Sequence, residues 1–407
     1  MEKTQLEKFA KLVLKFGVNL QKGQGLEIAC PVERRETAEA LSSIAFKMGA
    51  STVRIRWEDE IIDRLNLLYS AESELIDVPK WFVDSKLDLV KKNFCYVAIA
   101  AEDPAAFSDV PEKRITAYSS ARRKALKRFS ENVMSNAIRW CVVSVPTEKW
   151  AQKVFPNDKN PTLKLENAII KTMRLDKINP EKAWKDHIQK LSERAEFLNS
   201  QNFSYLRFQN SLGTDLKVGL ADNHFWLSAK ETAKDGVEFM ANMPTEEVFT
   251  APHKNKVNGR VYSALPLSFN GQIIENFTLD FKNGKVVSFS AEKGYETLKG
   301  LLETDKGSSR LGEVALIGKN SPIAESGILF YNTLFDENAS CHIALGKGYP
   351  TTVKNGEKLS LSELKKLGLN DSVEHVDLMI GTPDLNITGY KKDGSFLPLF
   401  IDGEWCV

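Results

Sequence analysis

Residues 26–57 read LEIACPVERRETAEALSSIAFKMGASTVRIRW, and their pattern decides the fold of the first half of the chain. Leu26–Cys30 and Thr52–Trp57 are short runs rich in apolar and β-branched residues, which is strand composition. Between them, Arg34–Met48 carries Ala38, Leu41, Ile44 and Ala45 at helical spacing. Gly49 then suits the helix C-cap, because glycine alone enters the left-handed region without steric cost. Strand, helix and strand in this order form a crossover unit, and crossovers join parallel strands. Tyr96–Ala100 and Cys141–Val145 are two more strand-like runs, and a helix runs from about Pro111 to Phe129 with Arg and Lys on one face. The first domain is therefore expected to be α/β with a mainly parallel sheet.

The texture changes after a helix at Pro180–Ser200, which opens on the capping pair Asn179-Pro180. Short strands follow at Phe203–Gln209, Asp215–Leu220, Gly259–Ala264, Gln272–Phe281, Lys285–Ala291 and Glu313–Ile317. Asn283-Gly284 is a hairpin signal between two of them. The expected architecture is an α+β two-domain chain, with an α/β domain over residues 1–195 and a β-rich domain over 196–407.

Composition excludes several function classes. The 407 residues hold 55 Lys+Arg and 54 Asp+Glu, a formal net charge of +1, without the basic excess of a nucleic-acid binder. Mean hydropathy is −0.29, and no apolar run approaches the roughly 20 residues of a membrane span. Met1–Phe16 mixes charged and apolar residues as an amphipathic helix does, unlike a signal peptide, so a cytoplasmic location is expected. The five cysteines, Cys30, Cys95, Cys141, Cys341 and Cys406, are widely spaced, which argues for reduced thiols over disulfides or a CxxC metal site.

The chemistry-bearing residues crowd into the second half. There is no HExxH, Walker A or GxSxG, and Gly23-Gln24-Gly25 precedes a strand, where a dinucleotide fingerprint would follow one. All five histidines lie at or after His187. On a strand, His375 and Asp377 point to one side while Val376 points to the other. That pair suits either half of a divalent-cation site or an ordinary surface contact. The segment FYNTLFDENASCH, residues 330–342, offers Asp336, Glu337 and His342, and a turn at Asn338–Ser340 would let Glu337 and His342 converge. NMPTEEVFTAP, residues 242–252, offers Glu246 and Glu247. Glu313 sits in the apolar run LGEVALIG, where an unpaired carboxylate costs several kcal/mol, at the order of magnitude, unless a cation neutralises it.

Together NMPTEEVFTAP, RLGEVALI, SGILFYNTLFDENASCHIALGKGYP, HVDLMIGTPDLNITG and the closing Asp402-Gly403-Glu404-Trp405 resemble the metallo-aminopeptidases called aminopeptidase T, aminopeptidase S and PepS. The resemblance implies metal ligands at Glu247, Glu313, Glu337, His342, His375 and Asp377, with Glu313 bridging two metal ions and Tyr349 as the active-site tyrosine. It implies two divalent cations (Zn²⁺, Co²⁺, Mn²⁺ or Mg²⁺) and release of N-terminal amino acids from short peptides. It also implies a homodimer whose active sites face an enclosed cavity. The same ligand set would serve a hydrolase of a non-peptide amide or ester. No nucleic acid or membrane partner is expected.

Overall fold

A computed structural model describes all residues, Met1–Val407. The chain divides into two compact units: residues 1–188 with 229–245 and 330–334, and residues 189–228 with 246–329 and 335–407.

The first unit is built on four parallel strands, β1 (Gly25–Pro31), β2 (Thr52–Glu58), β3 (Cys95–Ile99) and β4 (Trp140–Val143), in the order β2-β1-β3-β4. Leu26 lies opposite both Val53 and Cys95, and Val97 opposite Cys141. β1 is central and covered on both faces, so almost every residue in it is buried. Its one charge, Glu27, meets the buried Lys86 ammonium at 2.8 Å. The helix Arg35–Lys47 buries Thr37, Ala38, Leu41, Ile44 and Ala45 along one stripe. Leu41 and Ile44 alone are worth about 1.5–3 kcal/mol each when removed from water. Gly49, at φ +93°, ends the helix: Ala50 N–H donates to the Ala45 carbonyl and Gly49 N–H to that of Phe46. These two bonds form a Schellman motif.

The basic helix is longer than its sequence pattern suggests, Glu112–Met134, because the apolar turn Val133-Met134 extends it. Three further helices, Glu60–Tyr69, Glu72–Ile76 and Lys80–Lys91, lie between β2 and β3. No helix is long and apolar enough to cross a membrane. Cys30, Cys95, Cys141 and Cys341 are buried free thiols, while Cys406 is exposed.

The second unit carries a nine-stranded sheet and a four-stranded sheet. In the larger one, Gln272–Lys282 and Lys285–Lys293 form the expected hairpin. Asn283 and Gly284 both take positive φ, 51° and 79°, as a two-residue hairpin turn of this type requires. The expected strand Gly259–Ala264 is the end of a longer one, Pro252–Tyr262, whose register shifts between Pro252 and Val257. The smaller sheet pairs His375–Met379, His342–Gly346, Leu311–Leu316 and Val248–Thr250, in that order and antiparallel throughout. One face of it, through Val314, Ile343 and Leu378, is core.

Candidate metal centre

The opposite face of the smaller sheet carries the candidate ligands, and the register explains why. Glu313 lies opposite Ala344, and Ala344 opposite Asp377. Ala315 lies opposite His342, and Gly346 opposite His375. With a side-chain period of two, Glu313, His342, His375 and Asp377 therefore share one face. Small residues, Ala344 and Gly346, fill the positions among them. Gly346 has φ +105°, and a Cβ there would collide with the Glu374 carbonyl. Glu247 arrives from the edge, one residue before the three-residue strand Val248–Thr250. The turn expected between Glu337 and His342 is present as a 3₁₀ turn over Glu337–Ala339.

The distances are short. His342 Nε2 lies 3.2 Å from Glu247 Oε2, 3.4 Å from Glu313 Oε1 and 3.8 Å from Asp377 Oδ1. His375 Nε2 lies 3.8 Å from Glu313 Oε2 and 3.6 Å from Asp377 Oδ1. Glu313 thus presents one oxygen to each imidazole. Two triads have donor atoms mutually within 4.8 Å, namely Glu247/Glu313/His342 and Glu313/His375/Asp377, and Glu313 belongs to both. Glu337 is buried beside them but contributes to neither triad.

Both imidazoles are oriented from behind. His342 Nδ1 lies 2.9 Å from the Glu337 carbonyl, and His375 Nδ1 lies 2.7 Å from the Lys347 carbonyl. A carbonyl can only accept, so each Nδ1 carries a hydrogen and each Nε2 faces the carboxylates, donating to them when protonated and free to bind a cation when that proton is lost.

The centre is dry: Glu313 is 4% exposed, His342 1% and Asp377 9%. The ion pairs of these carboxylates are all with the two imidazoles. Asp377 Oδ1 is buried without a hydrogen-bond partner. Burial, then the Glu247 and Asp377 charges, push the Glu313 carboxyl above the ordinary carboxylate range. Burial and the charges of Asp377 and Glu247 push Glu337 further up. Burial alone would lower both imidazoles, but for His342 the hydrogen bonds to Glu247 and Glu313 outweigh it, and for His375 the Asp377 and Glu313 charges do. Crowded anions and an orphaned carboxylate oxygen are what divalent cations neutralise, and two imidazole Nε2 atoms face the same space, so the donor set fits them.

Tyr349 stands at the rim. Its ring meets His375 edge-on with centroids 4.9 Å apart, and Phe249 at 6.2 Å. Leu227, Ala315 and Ile317 complete an apolar patch around it. Arg194 lies within electrostatic reach of Glu246.

Known proteins resemble the chain over its whole length. The chain is 42% identical over 403 residues to aminopeptidase 2 of Geobacillus stearothermophilus, covering 98% of this chain and 97% of that one. It is 41% identical to aminopeptidase AmpS of Bacillus subtilis over 403 residues, covering 98% of each. It superposes on the solved wild-type AmpT of Thermus thermophilus with a TM-score of 0.91 at 35% identity, covering all of both chains. A 2,5-dihydroxypyridine dioxygenase of Pseudomonas putida, at 11% identity and TM-score 0.54, shares the fold alone. Matching the model of the thermophilic metalloprotease (M29) family over residues 2–405, the chain belongs to that family and is a metal-dependent exopeptidase of the aminopeptidase kind.

Proposed function

We propose that the enzyme releases N-terminal amino acids from short peptides at a site for two divalent cations. The observation that carries this reading is Glu313, which faces His342 with one oxygen and His375 with the other. Glu247, Glu313 and His342 would hold one cation, and Glu313, His375 and Asp377 the other. Glu337, buried beside both, adds a fourth carboxylate to the set. Imidazole and carboxylate donors accept Zn²⁺, Co²⁺, Mn²⁺ or Mg²⁺, so availability decides among them. Such cations, when bound, supply Lewis acidity and an acidified water, with a pKa that can fall to about 7.

The chain's own residues orient and stabilise. The carbonyls of Glu337 and Lys347 hold the two imidazoles in one tautomer. The Tyr349 hydroxyl donates a hydrogen bond to the oxygen that becomes negative as the scissile carbonyl turns tetrahedral. Its ring, wedged between His375 and Phe249, limits the swing of that hydroxyl. Residues 196–407, less the stretches 229–245 and 330–334 that belong to the first unit, form the catalytic domain of this proposal, and the working unit is a homodimer. Five free cysteines fit a reducing, cytoplasmic setting.

Hydrolysis of free and N-acetylated peptides, with metal content measured on the same samples, tests this. The expected result is two cations per chain, loss of turnover in chelator with recovery on add-back, and very poor cleavage of acetylated peptides. Equal cleavage of acetylated and free peptides would overturn the requirement for a free amine. A capacity of one cation would overturn the two-cation site.

A further inference from the structure

Asn338 is completely buried, at 0% exposure, between Glu337 and His342 in sequence. Its side-chain Oδ1 accepts the Glu246 N–H at 2.7 Å. Its Nδ2 lies 3.5 Å from Glu337 Oε1, a long contact, and its backbone carbonyl accepts the Ser321 hydroxyl at 3.1 Å. One amide thus reaches the Thr245–Glu246 peptide bond, one residue ahead of Glu247, and the carboxylate of Glu337. An amide suits both ends, because it offers an acceptor to the N–H and a donor to the carboxylate.

Glu247 needs such a tie more than the other ligands do. Glu313, His342, His375 and Asp377 lie within strands whose ladders fix their positions. Glu247 lies outside any strand, before a three-residue strand at the edge of the sheet. We propose that Asn338 is a positioning residue that sets the Glu247 carboxylate against Glu313 and His342, and so tightens cation binding by that triad and not by Glu313/His375/Asp377. The proposal rests on the two-cation reading above.

The test is a titration of metal-free wild type, Asn338→Ala and Asn338→Asp with Co²⁺ and with Zn²⁺, followed by calorimetry and by chelator competition. In Asn338→Ala one of the two equivalents should weaken by ~10–100-fold, the range for partners that orient ligands, while the other changes by less than about twofold. Asn338→Asp keeps the acceptor for the Glu246 N–H but loses the donor to Glu337 and sets a buried charge beside it, so it should recover only part of the loss. Unchanged affinities in Asn338→Ala, or equal weakening of both equivalents, would overturn the proposal. Amide hydrogen exchange of metal-free wild type provides a second reading that needs no variant: the Glu246 N–H should be protected. Fast exchange there overturns the role of Asn338 even if no variant folds. A wild type that binds fewer than two cations defeats the two-cation reading instead, and leaves the exchange result to decide on the amide.

Discussion

Glu313 and Tyr349 sit within one site and should fail in different ways. Glutamine at 313 keeps the size of the side chain but loses the charge that both triads share. Glu313→Gln should therefore hold fewer than two cations per chain and lose turnover while remaining folded. Tyr349→Phe removes a hydroxyl and no ligand. Its metal content should stay at the wild-type level while turnover falls by ~10²–10³, the usual loss for one oxyanion donor. If both residues were only packing, each change would lower the thermal midpoint and leave the folded fraction fully active. Metal content, thermal midpoint and turnover on the same preparations separate these outcomes, and full activity in either variant removes the role assigned to that residue.

The four-stranded sheet is two-sided in function as well as in structure. The strand His342–Gly346 alternates His342, Ala344 and Gly346 on the ligand face with Ile343 and Leu345 on the other. Ala344 lies between Glu313 and Asp377 across the ladder, and its small side chain leaves the space their carboxylates share. Ala344→Leu should fill that space, reduce the number of cations bound and cost about 1–3 kcal/mol by overpacking. Ile343→Val, one residue away on the core face, should cost about 0.5–1.5 kcal/mol and keep the full metal content. Paired denaturant titrations and metal analyses read both. If the two variants lost metal equally, the division of the sheet into a ligand face and a core face would be wrong.

At the scale of the molecule, the family resemblance carries the proposed homodimer. Light scattering at micromolar concentration should give about twice the chain mass of 45.7 kDa. A mass near that of one chain would remove the dimer from the proposal and leave the catalytic site untouched. The division into units also belongs to this scale. Residues 229–245 and 330–334 join the first unit, although both follow the helix Pro180–Gln201 in sequence. Backbone bonds from Met240 N–H to the Gly17 carbonyl and from Val142 N–H to the Ala241 carbonyl show what draws the earlier of these segments there.

What could be read from residues alone is local in origin. Leu26–Trp57 announces strand, helix and strand because apolar spacing and a glycine cap act within a few residues, and Asn283-Gly284 announces its hairpin for the same reason. His375 and Asp377 share a face by the period of two, whatever the rest of the chain does. The motifs around Glu247, Glu313 and His342 pointed to ligands through family resemblance, but no local rule brings those residues together. Their meeting depends on antiparallel register between strands far apart in sequence, which only the folded sheet sets. Asn338 is the sharpest case. In sequence it is a polar residue in a turn, and its partner Glu246 is 92 positions away. Burial gives that hydrogen bond its consequence, because the amide and the backbone N–H it receives have no water to turn to.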